Sequence, residues 1–339
     1  MRKDLISVII PVHNGERYLK RCVRSVLDAA DCLPDPASAE ILITDDASED
    51  GTVAIGRELM ADEPRIRVLT LPEGRSKEGV SAARNRGIEE ADGEYLMFAD
   101  ADDVIDRQLL KVLYGILKED PSKALAGSVF YEWSGENPDY RESDGEDPGE
   151  ENVYTPSEYL NREIRMGNTR CWSKLYRRDA VGTVRFQKDL TIGEDMLFLT
   201  QLVKSLSEEQ KAVELRSWYG YGYFRNPLGA VGQPFTPQYM DQILCWELME
   251  EELPSDEIRA NHIMGILLTA SKIALLSGEE RQQYASYTKE CRQKLLSALK
   301  TDERGRRARK LLSAGYRFKV RLFLVSPKLY MMLYHKWKQ

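Results

Sequence analysis

Between Leu5 and Ala99, four short apolar runs each end in a loop that gives way to helical spacing. The first, LISVIIP (Leu5 to Pro11), has the near-continuous apolar character of a parallel strand buried on both faces. The following HNGERYLKRCVRSVLDAA puts Leu19, Cys22, Val23, Val26, Leu27 and Ala30 on one helical stripe. The second run, Ile41 to Thr44, ends at Asp45 and Asp46 and leads through ASEDGT into a helix carrying Val53, Ile55, Leu59 and Met60. The third, Ile66 to Leu71, precedes PEGRSKEG and the helix of VSAARNRGIEEA; the fourth, Tyr95 to Ala99, ends at Asp100, Asp102 and Asp103. Strand and helix in alternation predict an α/β fold with a mostly parallel sheet, right-handed crossovers and helices on both faces. Open sheets of this kind bind ligands outside the carboxyl ends of their strands, where His13, Asn14, Asp45, Asp46 and the Asp100 cluster then converge.

Like charges packed as closely as Asp100, Asp102 and Asp103 repel unless a cation or donor groups sit among them, which favours a divalent metal on hard oxygen ligands. The alternative is an Asp-rich turn capping the helix that begins near Asp106. No G-x-G-x-x-G follows the first strand and no G-x-x-x-x-G-K-[ST] loop is present, so neither a dinucleotide oxidoreductase nor a P-loop enzyme is indicated. A phosphate would need something other than a glycine cradle, and a metal on Asp102 would serve.

The 339 residues are 42% hydrophobic and 30% charged, enough for one large core and an accessory domain. No apolar run approaches the ~18 residues of a membrane span, and MRKDLISVIIP enters a strand directly, so no signal peptide is expected. Five scattered cysteines without a C-x-x-C pair suggest neither zinc nor a disulfide framework, which fits a cytoplasmic home. The net charge of -7 is unevenly placed: GENPDYRESDGEDPGEE (135–151) is acidic and reads as an exposed loop, whereas the chain after Glu303 has many Arg and Lys and no Asp or Glu.

PVHNGERYL, ITDDASEDGT, GVSAARNRGIEEADGEYLMFADADD and GEDMLFLTQLV, in that order, resemble the successive signatures of family 2 glycosyltransferases of the GT-A fold, many of which build bacterial cell-surface polysaccharides. The resemblance implies a nucleotide-sugar donor, most simply a UDP-sugar, with Mn2+ or Mg2+, and a glycan or lipid-linked acceptor. By that resemblance Pro11, Val12, His13 and Asn14 border the nucleotide, with His13 where the family commonly has Tyr, and Glu16 lies near the ribose. Asp45 and Asp46 match the pair of which one binds the nucleobase edge; their alternative is an Asx turn closing the loop. Ser81, Arg84 and Asn85 match the segment beside the diphosphate. Asp100, Ala101 and Asp102 match the metal motif, with Asp102 the direct ligand and Asp100 its companion, while Asp103 would hold a ribose or sugar hydroxyl. Glu194 and Asp195 open a helix whose N-terminus favours negative charge in any case; the family places its general base here, at Asp195. Arg225 fits the arginine of a loop that closes on the diphosphate, though the serine expected near Gly229 or Ala230 is missing.

The expected organisation is a catalytic domain over 1–232, with a donor half (about 1–103) and an acceptor half (about 104–232), then a helical accessory domain (233–303) that packs on the sheet or forms a homodimer, and a basic tail (304–339). Trp172 and Lys174 are either acceptor contacts or core residues, and His262 is expected in the core. The tail is either a basic amphipathic helix on the anionic inner face of a membrane or an ordinary docked terminal helix. Nucleic acid is not an expected partner. Against the enzyme stands a degenerate GT-A domain acting as an assembly subunit, which would be expected to lose Asp102 or Asp195; both are present.

Overall fold

The computed structural model describes residues 1–72, 76–135, 149–227, 229, 232–299 and 303–338. The chain divides into two compact units, Met1–Lys188 with Gln201–Asn226, and Asp189–Thr200 with Pro227–Gln339.

The first unit follows the alternation in the sequence: β1 (Arg2–Val12), α1 (Leu19–Ala30), β2 (Ser38–Asp45), α2 (Thr52–Asp62), β3 (Ile66–Leu69), α3 (Val80–Glu90) and β4 (Gly93–Phe98). Ile6, Val8, Ile9 and Ile10 of β1 are fully buried, as a strand covered on both faces requires. α3 can lie close on β1 because Gly87 has no side chain: a Cβ there would sit 2.3 Å from Ile9 Cγ2. Next come β5 (Val104–Ile105), α4 (Leu109–Glu119), β6 (Lys123–Trp133), β7 (Glu151–Tyr154), α5 (Pro156–Tyr159), β8 (Lys174–Arg177), α6 (Arg178–Val181), α7 (Glu194–Ser205), whose first turns belong to the second unit, and β9 (Lys211–Phe224). A Thr155–Glu158 capping box starts α5.

Among the described residues the sheet has the order β3-β2-β1-β4-β8-β6-β9-β5, with β7 also pairing β9. It is parallel from β3 to β4; beyond, β8 runs antiparallel to both β4 and β6, and β9 runs parallel to β6. The order reverses at β1, so the loops after β1, β2 and β4 open on one crevice. β9 continues without a break through the aromatic and glycine-containing residues Trp218–Phe224, and its register against β6 shifts between Ser128 and Val129. That bulge lets the Tyr219–Phe224 half continue the pairing up to the acidic cluster. Of the acidic stretch 135–151, residues 136–148 lie outside the described residues, and Glu151 already belongs to β7.

The second unit holds α8 (Asp241–Glu252), α9 (Asp256–Ala274), α10 (Gly278–Gln283), α11 (Ala285–Ala298), α12 (Glu303–Leu311), α13 (Ala314–Val325) and α14 (Pro327–Lys338). Ser255 and Ser277 cap α9 and α10. One apolar core runs through it, from Phe235, Ile263, Ile266 and Ala270 to Ala308, Leu312, Val320, Phe323, Tyr330 and Met331. The basic tail is thus built into the same core as 233–303, and the expected boundary at 304 does not separate two packed bodies. His262 is buried there, its Nδ1 2.6 Å from Glu250 Oε1.

Phe323 is 0% exposed and Phe318 is 55% exposed on the same helix. Phe323→Ala is therefore expected to cost ~3–5 kcal/mol in urea unfolding, whereas Phe318→Ala should stay within about 0.5 kcal/mol of wild type. Equal losses would contradict this assignment of inner and outer faces.

Candidate active site

The loops after β1 and β2 are laced together by side chains that the residues after each strand supply. Asn14, at φ 54, receives no steric penalty large enough to exclude it from this left-handed turn. Its backbone N–H donates to Ser48 Oγ (2.9 Å), and its own Oδ1 accepts from the Glu49 N–H (2.8 Å). Gly15 N–H donates to Thr52 Oγ1, and Glu16 Oε2 accepts from the Gly51 N–H at 2.8 Å. Pro11 and Val12 are buried at the end of β1, and the Asp46 N–H donates to the Val12 carbonyl at 2.8 Å. His13 Nδ1 lies 2.8 Å from the Asp46 carbonyl oxygen.

The structure separates the roles of the adjacent Asp45 and Asp46. Both oxygens of Asp46 are taken, by the N–H groups of Glu78 and Gly79 at 2.8 Å each, so this side chain ties the segment before α3 to the β2 loop. Asp45 is 3% exposed; its Oδ2 accepts from Ser48 N–H (3.2 Å), while its Oδ1 is buried with no hydrogen-bond partner among the described residues. A buried carboxylate oxygen without a donor is a costly state that an incoming N–H would relieve.

At the end of β4 the three carboxylates have different partners. Arg84, buried on α3, donates from Nη2 to Asp100 Oδ1 at 2.8 Å. Its neighbour Asn85 is bound to the backbone of Phe186 through both amide atoms, each at 2.8 Å, and Ser81 is fully buried. Asp103, 1% exposed, accepts from the Tyr221 hydroxyl (2.8 Å) and from the Phe224 N–H (2.7 Å). That same Tyr221 oxygen accepts from the Asp100 N–H at 3.1 Å. Asp103 therefore fixes β9 against the acidic turn and faces protein donors where a sugar hydroxyl was expected. Asp102 Oδ2 accepts from Asn226 Nδ2 (2.9 Å), and its carbonyl accepts from Arg21 Nη2 (3.0 Å). Arg21 is itself held over the Trp133, Phe224 and Tyr18 rings.

Burial, with the neighbouring charges of Asp100 and Asp102, pushes the Asp103 carboxyl well above its ordinary range. Burial and the charge of Asp100 push Asp102 up as well, and burial with the same cluster raises the Tyr221 hydroxyl. The protein thus gives Asp102 too little positive charge to offset its burial and the Asp100 charge, and a cation beside it would act in the opposite direction. Among the described residues no three His, Cys, Asp or Glu side chains form a ready cage. Mg2+ and its kin commonly need only one or two carboxylates plus substrate phosphates. Asp102 fits that role; Asp100, with Ala101 between them, is already engaged by Arg84.

Arg225 points outward: its guanidinium pairs with Glu132 on an exposed surface. The inward residue is its neighbour Asn226, whose N–H turns back to the Phe224 carbonyl (2.7 Å) and whose side chain meets Asp102. Asn226, Tyr221 and Arg21 were not found in the sequence reading; the Tyr219, Tyr221, Tyr223 alternation was the available signal. Trp172 and Lys174 are 5% and 2% exposed, Trp172 stacked between Tyr221 and Tyr223 and Lys174 3.5 Å from Glu214, so both serve the core. In the second unit, Asp195 stands in the first turn of α7, its Oδ1 accepting from the Met196 N–H at 2.8 Å. Gly193, at φ +90, precedes it, where a Cβ would fall 2.7 Å from Cys245 Sγ. The Cys245 thiol is pushed up by burial and by the Asp195 and Glu194 charges.

A β3-β2-β1-β4 sheet with an acidic turn after β4 and a laced loop pair after β1 and β2 defines an α/β protein of the GT-A class. The sequence matches the family model for Glycosyl transferase family 2 over residues 7–185, and the chain belongs to that family. It is similar to the glycosyltransferase GlyA of Streptococcus pneumoniae, 26% identical over 92% of this chain and 44% of that protein. It is also similar to the putative teichuronic acid biosynthesis glycosyltransferase TuaG of Bacillus subtilis, 39% identical over 30% of this chain and 37% of that protein. The chain spans less than half the length of either relative. Residues 1–349 of S. aureus TarS, in complex with UDP-GlcNAc, share the fold at a TM-score of 0.63 and 18% identity, over 98% of this chain and 91% of that one.

Asp103→Asn would turn an amide N–H2 toward at least one protein donor and is expected to cost ~1–3 kcal/mol in unfolding without ligand. Asp102→Asn keeps an acceptor for Asn226 and removes one crowded charge, so its metal-free melting temperature should be no lower than wild type. A larger loss for Asp102→Asn than for Asp103→Asn would contradict these roles.

Proposed function

We propose that this chain is an inverting, metal-dependent glycosyltransferase. It moves a sugar from a UDP-sugar onto a glycan or lipid-linked acceptor in cell-surface polysaccharide synthesis, working as a peripheral protein on the cytoplasmic face of a membrane. The observation that carries the donor side is the buried Asp45 Oδ1, which has no hydrogen-bond partner among the described residues. A carboxylate oxygen accepts the imide N–H of uracil, whereas the matching ring nitrogen of cytosine or adenine offers no proton. Glu16 and Asn14 fix the loop beside it, and Asp46 holds the segment leading to Arg84.

The glycosidic bond breaks with charge gathering on the departing nucleoside diphosphate. Asp102 would hold Mn2+ or Mg2+, which when bound would supply positive charge to offset it. Asn226 and Arg21 orient Asp102, and Arg84 neutralises Asp100 so that the two carboxylates do not repel at full strength. Asp195 is assigned as the base that takes the acceptor hydroxyl's proton, a role that one carboxylate fills without a covalent intermediate.

Thermal shift with nucleotides and Mn2+ tests the donor reading. UDP with Mn2+ should raise the melting temperature more than GDP or CDP does, since ligand binding to the native state alone stabilises it. Asp45→Ala should lower UDP affinity by about tenfold or more, the worth of a charged hydrogen bond, and Asp102→Ala should abolish the Mn2+-dependent part. Asp195→Asn should bind UDP-sugar as wild type does while donor turnover falls ~10²–10⁴-fold. Unaltered UDP binding in Asp45→Ala, or unaltered turnover in Asp195→Asn, would refute the corresponding assignment.

A further inference from the structure

Glu303 opens α12 and no Asp or Glu follows it, so beyond that first residue the last three helices carry cations only. Their inner faces are accounted for: Ala308 and Leu312, Val320 and Phe323, Tyr330 and Met331 fill the core of the helical unit. The outer faces are unusual. A solvated helix face ordinarily mixes Glu with Lys at i,i+4 spacing, yet here large apolar side chains alternate with cations. On α13, Phe318 and Val325 are 55% and 85% exposed and lie two turns apart, with exposed Arg321 between them; on α14, Met332 is 57% exposed between exposed Lys328 and Lys336. Leu311, at the end of α12, and Trp337, near the end of α14, are exposed too. Where α12 and α13 meet, a shallow cavity of about 390 Å³, open to solvent, is lined by Arg306, Arg309, Lys310 and Arg317.

We propose that the outer face of α12–α14 docks on an anionic phospholipid bilayer. Phe318, Val325 and Met332 enter the acyl boundary, and the Arg309, Lys310 and Arg317 cluster meets lipid phosphates. The assignment rests on the membrane-peripheral reading above and names the surface that reading needs. The chemistry of the face selects this occupant. A second copy of the same face would set cations against cations, which costs energy at any interface. A nucleic acid would satisfy the cations and leave Val325 and Met332 in water. An anionic bilayer surface satisfies both, because each cation near it gains from the surface potential and each buried apolar group from transfer out of water. Trp337 suits the headgroup level, where aromatic rings with one polar edge accumulate. Among the described residues no helix is long and apolar enough to cross a membrane, so the contact is made by a face.

Removing the tail would not test this, because its inner side chains complete the helical core. The test uses the full chain with Phe318→Ser/Val325→Ser and Arg309→Glu/Lys310→Glu, each checked for wild-type melting temperature and for an unchanged thermal shift with UDP and Mn2+. Cosedimentation is measured with vesicles of phosphatidylcholine alone and of phosphatidylcholine with phosphatidylglycerol. Wild type should bind only the phosphatidylglycerol vesicles and be released by salt. Each double variant should partition about tenfold or more weakly, the worth of an exposed aromatic or aliphatic side chain entering an apolar phase or of a few surface cations. Wild type failing to bind any vesicle would overturn the membrane reading itself. Wild type binding with both variants bound equally would overturn the assignment to this face while leaving that reading standing. Concentration-dependent dimers that the variants abolish without vesicles, or binding of duplex DNA that displaces the vesicles, would each replace the bilayer with another occupant.

Discussion

Three carboxylates at the end of one buried strand cannot all be ionised side by side without compensation, and the first unit is arranged around how each is compensated. Arg84 reaches Asp100 from α3, and the Tyr221 hydroxyl and Phe224 N–H reach Asp103 from β9. These bonds draw together elements far apart in the sequence, so the acidic turn also acts as a clamp between the parallel half of the sheet and β9. Among the described residues Asp102 has a single side-chain donor, Asn226, and its carboxyl is pushed up by burial and by Asp100. That imbalance supports the proposal that Asp102 holds a cation brought in with a phosphate-bearing donor.

The same division of labour appears at Asp45 and Asp46. Two neighbouring aspartates on a strand end look alike in sequence, yet alternation along the chain turns them to different neighbours. Asp46 meets two backbone N–H groups and becomes structural; Asp45 has one buried oxygen without a donor among the described residues. Just past the end of β9, Arg225 faces solvent while Asn226 faces Asp102. Strand identity, and with it the loops that carry ligand-facing residues, could be read from apolar runs and helical spacing, because those patterns report burial directly. Which of two adjacent polar residues faces inward depends on local register, and the bulge in β9 shows how a few inserted residues reset it. That information is not carried by residue type.

Composition was ambiguous for the tail for a related reason. A basic, apolar-rich segment fits both a docked helix and a surface-seeking one, and α12–α14 have both characters on opposite faces. Phe323 and Tyr330 settle the first face by burial in the helical core; Phe318 and Val325 leave the second exposed. Trp172 and Lys174 went the other way: polar or aromatic residues beside the acidic cluster, they are enclosed by Tyr221, Tyr223 and Glu214 and belong to the packing that supports β9.

The proposed role of Asp102 as the carboxylate that holds a cation is tested most directly by anomalous scattering from crystals grown with UDP and Mn2+. A manganese peak within coordination distance of an Asp102 carboxylate oxygen, bridged to the nucleotide phosphates, is the expected result. A peak held by other side chains, or bound nucleotide with no manganese beside Asp102, would contradict it.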